Sequence, residues 1–347
     1  MVANPVLVEA WRGDSVESAH RGAIAVVDAE GTLVAALGDV DRPVFPRSAV
    51  KLLQALPLVA SGAADRCGLS DAELALACAS HTGEAVHTTG AAAMLAKAGL
   101  DEQVLECGCH WPTNEAAARA LAAAGHAPSV LHNNCSGKHA GFACLGATMA
   151  GGDARGWLRG YVQPEHALMR EVTAALGAAT GCDLARMPVA TDGCSIPTYA
   201  QPLRALALGY ARVASGVGLS TAHARAAVRL RCAVAAAPLL AAGSGRFDTR
   251  VGERLRERVY CKVGAQGVYC AALPERGFGI AIKIDDGNTA HAVEVAMAAT
   301  IEALLPLAEP DAAFMRSLSD TPVANWNGWM VGRLAATDTL RNGLRVI

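Results

Sequence analysis

The stretch VFPRSAVKLLQALPLV, residues 44–59, is where the chain changes character. It leaves a proline-marked extended segment and enters an apolar helical pattern at Ala49, Leu52, Leu53 and Leu56. Before it, PVLVEAW (5–11) and RGAIAVVDAEGTLVAALG (21–38) read as strands, with Asp28-Ala-Glu-Gly31 as a hairpin turn. After it, to about Ala241, the pattern is largely helical. DAELALACAS (71–80), HTTGAAAMLAKAG (87–99), NEAAARALAAAG (114–125), GKHAGFACLGATMA (137–150) and AHARAAVRLRCAVAAAPLLAAG (222–243) are the clearest helices. Asp71 and Asn114 fit N-cap positions in the first and third.

Beyond GSGRFD (243–248) a short helix is expected, and strands then return in GVYCAALPERGFGIAIKIDD (267–286) around a PERG turn. NTAHAVEVAMAATIEALLPLA (288–308) is a further helix. Strands at both ends, 5–40 and 260–286, can join into one antiparallel sheet, with the helical region of about 47–243 inserted as a lobe. No linker or repeat interrupts this pattern, so the expectation is an α+β fold in a single domain, 1–347.

Composition narrows the function classes. Apolar residues make up 52% and charged residues 18%, enough for an extensive core. Aromatics are 4% and the formal net charge is −2, which argues against a nucleic-acid surface built from stacked rings and a basic groove. The small side chains suit closely packed helices. No long uncharged run suggests a membrane span, and MVANPVLVEAWRGDSVESAH shows no basic start followed by an apolar stretch. Eleven cysteines, an odd number, without an export signal point to free thiols in a cytoplasmic protein rather than a disulfide framework.

Ser48 and Lys51 stand three residues apart at the start of the first helix, a spacing that puts Cβ atoms ~5–6 Å apart on one face. A lysine amine acts as a base only when neutral, which burial, a neighbouring cation such as Arg47 and a helix N-terminus all favour. The serine at such a start also offers its own N–H to an oxyanion. The same letters equally describe a capping serine and a snorkelling lysine. Two later features add weight: Ser80 ends an apolar helix in CASHTGE, and Lys262 precedes Gly264 in YCKVGAQGVYC as strands resume. Ser-x-x-Lys, a serine in a helical lobe and Lys-x-Gly on a strand occur in this order in serine β-lactamases and penicillin-binding proteins.

Six blocks make a closer match: PRSAVKLLQALPLV, CASHTGEAVH, HNNCSGKHAGF, TDGCSIPTYA, AGSGRFDT and KVGAQGVYCAALP. Together they resemble the Rhizobium etli-type L-asparaginases, an asparaginase II family whose fold is similar to β-lactamases and glutaminases. That resemblance implies hydrolysis of L-asparagine to L-aspartate and ammonia; the sequence leaves open which serine, Ser48 or Ser80, forms the covalent bond, and the helix start, with Lys51 as base and an oxyanion donor, favours Ser48. The resemblance implies Ser80 and Lys262 as a second couple that serves the departing ammonia. Backbone N–H groups of Ser48 and Ala265 are the candidate oxyanion donors. Arg47, Asp192 and Arg246, with Ala265, are candidate substrate contacts. Arg246 suits a bidentate grip on the α-carboxylate, and equally suits capping a helix. A homodimer is also implied. The rival readings are a β-lactam-hydrolysing or penicillin-interacting enzyme, a glutaminase or other amidase, and a non-enzymatic thiolate-metal protein.

NNCSGKHAG holds Cys135 and Lys138, and DGCS supplies Cys194. Spacing alone would choose His139 as a third ligand for a zinc ion beside two thiolates. The resemblance implies instead zinc on Cys135, Lys138 and Cys194, with Asp192 hydrogen-bonding around the site. His81, His110, His132 and His139 read as structural hydrogen-bonding groups, and Cys107 and Cys109 in ECGCHWPTN as local structure.

Overall fold

The computed structural model describes residues 3–289 and 291–344. The expected domain 1–347 therefore includes Met1, Val2, Ala290 and residues 345–347, which lie outside the described residues. The chain divides into two compact units, one made of Met1–Ala49, Ala200–Ser215 and Cys261–Ile347, the other of Val50–Tyr199 and Gly216–Tyr260.

The first unit is an eight-stranded antiparallel sheet. Its strands are β1 (Val6–Arg12), β2 (Ser15–Val27), β3 (Leu33–Leu37), β4 (Tyr260–Val263), β5 (Val268–Leu273), β6 (Phe278–Ile284), β7 (Asp320–Ala324) and β8 (Met330–Ala336). They run in the order β7-β8-β1-β2-β6-β5-β4, with β3 also on β2. The two ends of the chain meet in register at Ile24 opposite Ile282, as the α+β reading requires. The Asp28 N–H donates to the Thr32 carbonyl at 3.1 Å and closes the expected hairpin. Every residue of β5 is buried, which needs cover on both faces. Part of that cover is the helix Leu203–Ser215, packed on β2, β5 and β6. Gly279 permits the approach, since a Cβ there would strike the Ala207 carbonyl. The helix Ala292–Leu304 packs on β6 and β8.

The second unit is helical around Lys51–Ala60. That helix is buried from Lys51 through Leu58, and Ser136–Ala150, Ala167–Thr180 and Thr221–Ala236 pack against it. A helix enclosed on all sides carries apolar residues on every face, as LLQALPLV does. Small residues set the spacing of its neighbours. Gly137 and Gly141 let Ser136–Ala150 lie against Leu76 and Ala77, where a Cβ at 137 would meet the Leu76 carbonyl.

Three local expectations change. Ser70, not Asp71, caps Asp71–Ala77: its hydroxyl accepts from Glu73 N–H, and the Glu73 carboxylate accepts from Ser70 N–H at 2.7 Å. The long helix over 222–243 breaks at Pro238 into Thr221–Ala236 and Pro238–Ala242, because proline lacks the N–H to continue it. The first helix opens as a 3₁₀ turn, Arg47–Val50, before becoming α-helical at Lys51. Asn114 caps its helix as expected, accepting from Ala117 N–H at 2.9 Å.

Candidate active site

The first unit carries Arg47, Ser48, Lys262 and Ala265. Lys262 is the third residue of β4, 2% exposed, with its amine donating to the Val263 carbonyl at 2.9 Å. Just beyond, Gly264 passes so close to the Pro46 carbonyl that a Cβ would stand 2.7 Å from it. The Lys-x-Gly pattern is thus a close backbone approach between the end of β4 and the segment that leads into Ser48. Neither the Ser48 nor the Ala265 amide donates a hydrogen bond among the described residues. The Ala49 carbonyl, one residue on, accepts from the Tyr210 hydroxyl, which fixes the 3₁₀ turn from below.

The second unit carries Lys51, Ser80, Cys135, Lys138, Asp192, Cys194 and Arg246. Each serine–lysine couple read from the sequence therefore has one member in each unit. Lys51 is 1% exposed. Its amine donates to the Ala79 carbonyl and reaches the Asn134 carbonyl at 3.4 Å, so it sits directly beside the residue that precedes Ser80. The Ser80 hydroxyl is buried and has no hydrogen-bond partner among the described residues, while its N–H donates to the Ala241 carbonyl at 3.1 Å. A buried hydroxyl left unpaired costs about 1–3 kcal/mol, and such groups mark functional positions.

Cys135, Lys138 and Cys194 converge in one buried cluster. Lys138 Nζ lies 3.0 Å from Cys194 Sγ, and the thiols of Cys135 and Cys194 hydrogen-bond to each other. That bond, with the Lys51 and Lys138 charges nearby, offsets burial and draws the Cys135 thiol well below its usual range. The same bond, together with burial, pushes Cys194 up, so the pair releases one proton readily and the second reluctantly. Burial disfavours the Lys138 charge, but the adjacent Cys194 and Cys135 sulfurs outweigh it and raise its affinity for the proton. Asp192 Oδ2 stands 4.0 Å from Cys194 Sγ. Two soft sulfurs and an amine gathered in a dry pocket form a donor set compatible with zinc.

His139 takes no part in that cluster. Glu106 N–H donates to the Tyr161 hydroxyl at 3.1 Å, so the hydroxyl proton is directed to His139 Nδ1 at 2.5 Å, and Nε2 is left buried without a partner among the described residues. Among the described residues no three His, Cys, Asp or Glu side chains form a metal-holding group. Spacing alone pointed to His139; the fold turns its ring away.

The other histidines tie backbone together. Gly83 N–H donates to His81 Nδ1 at 3.2 Å, which leaves Nε2–H to donate to Ser136 Oγ at 2.9 Å. Burial, then the neighbouring His87 and Lys51, keep His81 neutral. His110 links the Asn134 N–H to the Trp111 carbonyl, and His132 accepts from Ser129 N–H. Cys109 donates to the Pro128 carbonyl at 3.1 Å, and burial drives the Cys107 thiol up to about 12.

Four non-glycine residues adopt left-handed backbone among the described residues: Arg47 (φ 53°), Ser195 (φ 73°), Arg256 (φ 50°) and Gln266 (φ 55°). Three of them adjoin candidates, namely Ser48, Cys194 and Ala265. Each such conformation costs about 1 kcal/mol or more and persists where the surroundings over-determine it, commonly at functional sites. Motif letters gave no warning of this strain.

Glu84 is a residue the sequence reading missed. Its carboxylate accepts from Thr82 Oγ1 at 2.6 Å, Ser244 Oγ at 2.6 Å and Ser244 N–H at 3.0 Å. Its position four residues after Ser80 was the available signal. Arg246, half-buried at the N-terminus of Phe247–Leu255, makes no side-chain cap to that helix.

An α+β chain with buried lysines, a buried serine hydroxyl without a partner among the described residues, and strained backbone beside Ser48, Cys194 and Ala265 has the features of an enzyme, and a family model matching residues 8–336 makes the class explicit: an asparaginase-type amidohydrolase. The family is L-asparaginase II, and the chain belongs to it. A comparison with curated proteins found no match.

Proposed function

We propose that this protein hydrolyses the side-chain amide of L-asparagine to L-aspartate and ammonia, with Ser48 as the covalent nucleophile. The observation that carries the reading is the approach of Gly264 to the Pro46 carbonyl. It brings together the two segments whose uncommitted amides, Ser48 N–H and Ala265 N–H, suit an oxyanion. In the proposed sequence Ser48 Oγ attacks the carboxamide carbon and Lys51 accepts its proton. Collapse of the tetrahedral intermediate expels ammonia, which takes a proton by way of Ser80 and Lys262. Water then cleaves the aspartyl ester and returns Ser48 to its starting state. Arg246 pairs with the α-carboxylate, and Arg47 supplies a second cation beside the nucleophile. Ammonia release from L-asparagine, compared between the wild type and Ser48→Ala and Lys51→Ala, tests this; persistence of turnover in both variants would remove the mechanism.

Cys135, Lys138 and Cys194 would hold a zinc ion, with Asp192 hydrogen-bonding at its edge. When bound it supplies positive charge that orients the substrate's charged groups. We take residues 1–347 as one asparaginase domain of the Rhizobium etli type, since the family match runs across both units. A cytoplasmic setting is supported by the cysteines, all eleven of which are free thiols. No helix among the described residues is long and apolar enough to cross a membrane. A homodimer is supported by Trp326, Trp329 and Met330, exposed together at the turn between β7 and β8.

A further inference from the structure

The turn that carries Arg246 is strapped to the turn that carries Ser80. Ser80 N–H donates to the Ala241 carbonyl at 3.1 Å, and His87 Nε2–H donates to the Leu239 carbonyl at 3.0 Å. Gly243, at φ 113°, lies against Thr82 so closely that any Cβ would strike its hydroxyl. Thr249 Oγ1 holds the Gly243 carbonyl at 2.6 Å from the other side. The last and only charged tie is Glu84. All three of its hydrogen bonds come from Thr82 and Ser244, and no lysine or arginine pairs with it among the described residues.

Glu84 is also the N-cap residue of the helix Ala85–Lys97, with its own N–H donating to His87 Nδ1 at 3.1 Å, so it joins a helix start to the Ser244 turn. The Glu84 side chain is 20% exposed and receives two bonds from Ser244, two residues before Arg246. A carboxylate accepting several hydrogen bonds is a stronger and more directional anchor than a neutral acceptor. Gly243 and Gly245, both with left-handed backbone, would otherwise leave the turn free to choose among conformations. Arg246 opens the next helix with an extended backbone and a side chain that caps nothing, so its direction depends on where the turn is held.

We propose that Glu84 is a positioning residue: it fixes the Gly243–Arg246 turn and thereby sets Arg246 for the substrate's α-carboxylate. The proposal rests on the reading of Arg246 given above. Glutamine at 84 keeps the size and can keep the contacts, its oxygen accepting from Thr82 Oγ1 and Ser244 N–H and its amide donating to Ser244 Oγ, so what it removes is the charge that makes the clamp strong.

The test is steady-state kinetics with L-asparagine on Glu84→Gln, Ser244→Ala, Arg246→Ala and the double variant Glu84→Gln/Arg246→Ala, each checked by thermal unfolding. Glu84→Gln and Ser244→Ala should raise KM about tenfold, the scale of a lost charge-assisted hydrogen bond, with kcat within about threefold of wild type. The double variant should be no worse than Arg246→Ala, because the clamp acts through that side chain. With a substrate whose α-carboxylate is amidated, wild type and Glu84→Gln should converge. If Arg246→Ala raises KM while Glu84→Gln and Ser244→Ala leave it unchanged, or if the double variant shows additive losses, the positioning role is overturned and the Arg246 reading stands. If Arg246→Ala itself leaves KM unchanged, both fall. Should Glu84→Gln fail to fold, Ser244→Ala removes the hydroxyl bond to Glu84 from the opposite side and decides the question.

Discussion

Gly264 lies against the carbonyl of Pro46 at a distance that excludes any side chain, with a Cβ placed there 2.7 Å from the oxygen and 3.1 Å from Val268. The contact couples the end of a fully buried strand to the segment entering Ser48. Gly264→Ala should therefore displace backbone rather than a flexible side chain. Overpacking of this kind costs about 1–3 kcal/mol. Turnover should fall more steeply than stability, because the displaced groups are the proposed oxyanion donors. Thermal melts alongside kcat measure the two effects separately; a variant with a lowered melting temperature and full kcat would contradict the account.

Lys51 is buried against the carbonyls of Ala79 and Asn134, and methionine can fill its volume without a charge. Lys51→Met should stay folded and lose about 10²–10⁴ in kcat, the usual contribution of a positioned general base. The loss should appear in kcat and kcat/KM together, since proton transfer belongs to the transition state. A rise in KM alone would move Lys51 from the chemistry to binding.

Metal removal separates positioning from chemistry. If zinc on Cys135, Lys138 and Cys194 orients the substrate, chelation should raise KM and leave kcat within a few-fold, and zinc should restore it. Chelated protein with full turnover and unchanged KM would contradict this role. The same holds if Cys135→Ser binds zinc as tightly as wild type.

Cys67 offers a test of the electrostatics away from the proposed chemistry. The neighbouring Cys144, whose own thiol donates to the Met94 carbonyl at 3.4 Å, outweighs burial, and with Arg66 nearby it brings Cys67 down to about 7. The folded state thus holds the thiolate where the unfolded chain still holds a thiol. The stabilisation is fully present above the unfolded value of about 8.5 and is lost as pH falls through about 7. Alkylation of the native protein should label Cys67 with a midpoint near pH 7, while buried Cys107, at about 12, stays unlabelled. A Cys67 midpoint near 9 would show that Cys144 and Arg66 do not favour the thiolate in solution.

Much of the fold was legible because its signals are local. Asp28–Gly31 marks a hairpin whatever surrounds it, and the alternation in 267–286 leaves little choice but strand. The helix Leu203–Ser215 was hidden for the opposite reason: LRALALGYARVAS has the same period as its helical neighbours, and nothing local says that it joins the sheet unit. β7 was missed because DTPVA is polar and contains Pro322, which suits only an edge strand. At the candidate site the residue types were readable and their partners were not. Lys138 rather than His139 faces Cys194 because the helix turns the two side chains in different directions, one to the sulfurs and one to Tyr161. Glu84 escaped notice because Ser244, which gives two of its three bonds, lies 160 positions away.

The central claim is that Ser48 carries the acyl group. Acid-quenching the enzyme during turnover of L-asparagine, followed by peptide mass spectrometry, examines it directly. The account predicts an aspartyl ester on the peptide containing Ser48, absent from Ser48→Ala, which should also release no ammonia. An ester found on the Ser80 peptide instead, or ammonia release that persists in Ser48→Ala, would contradict it.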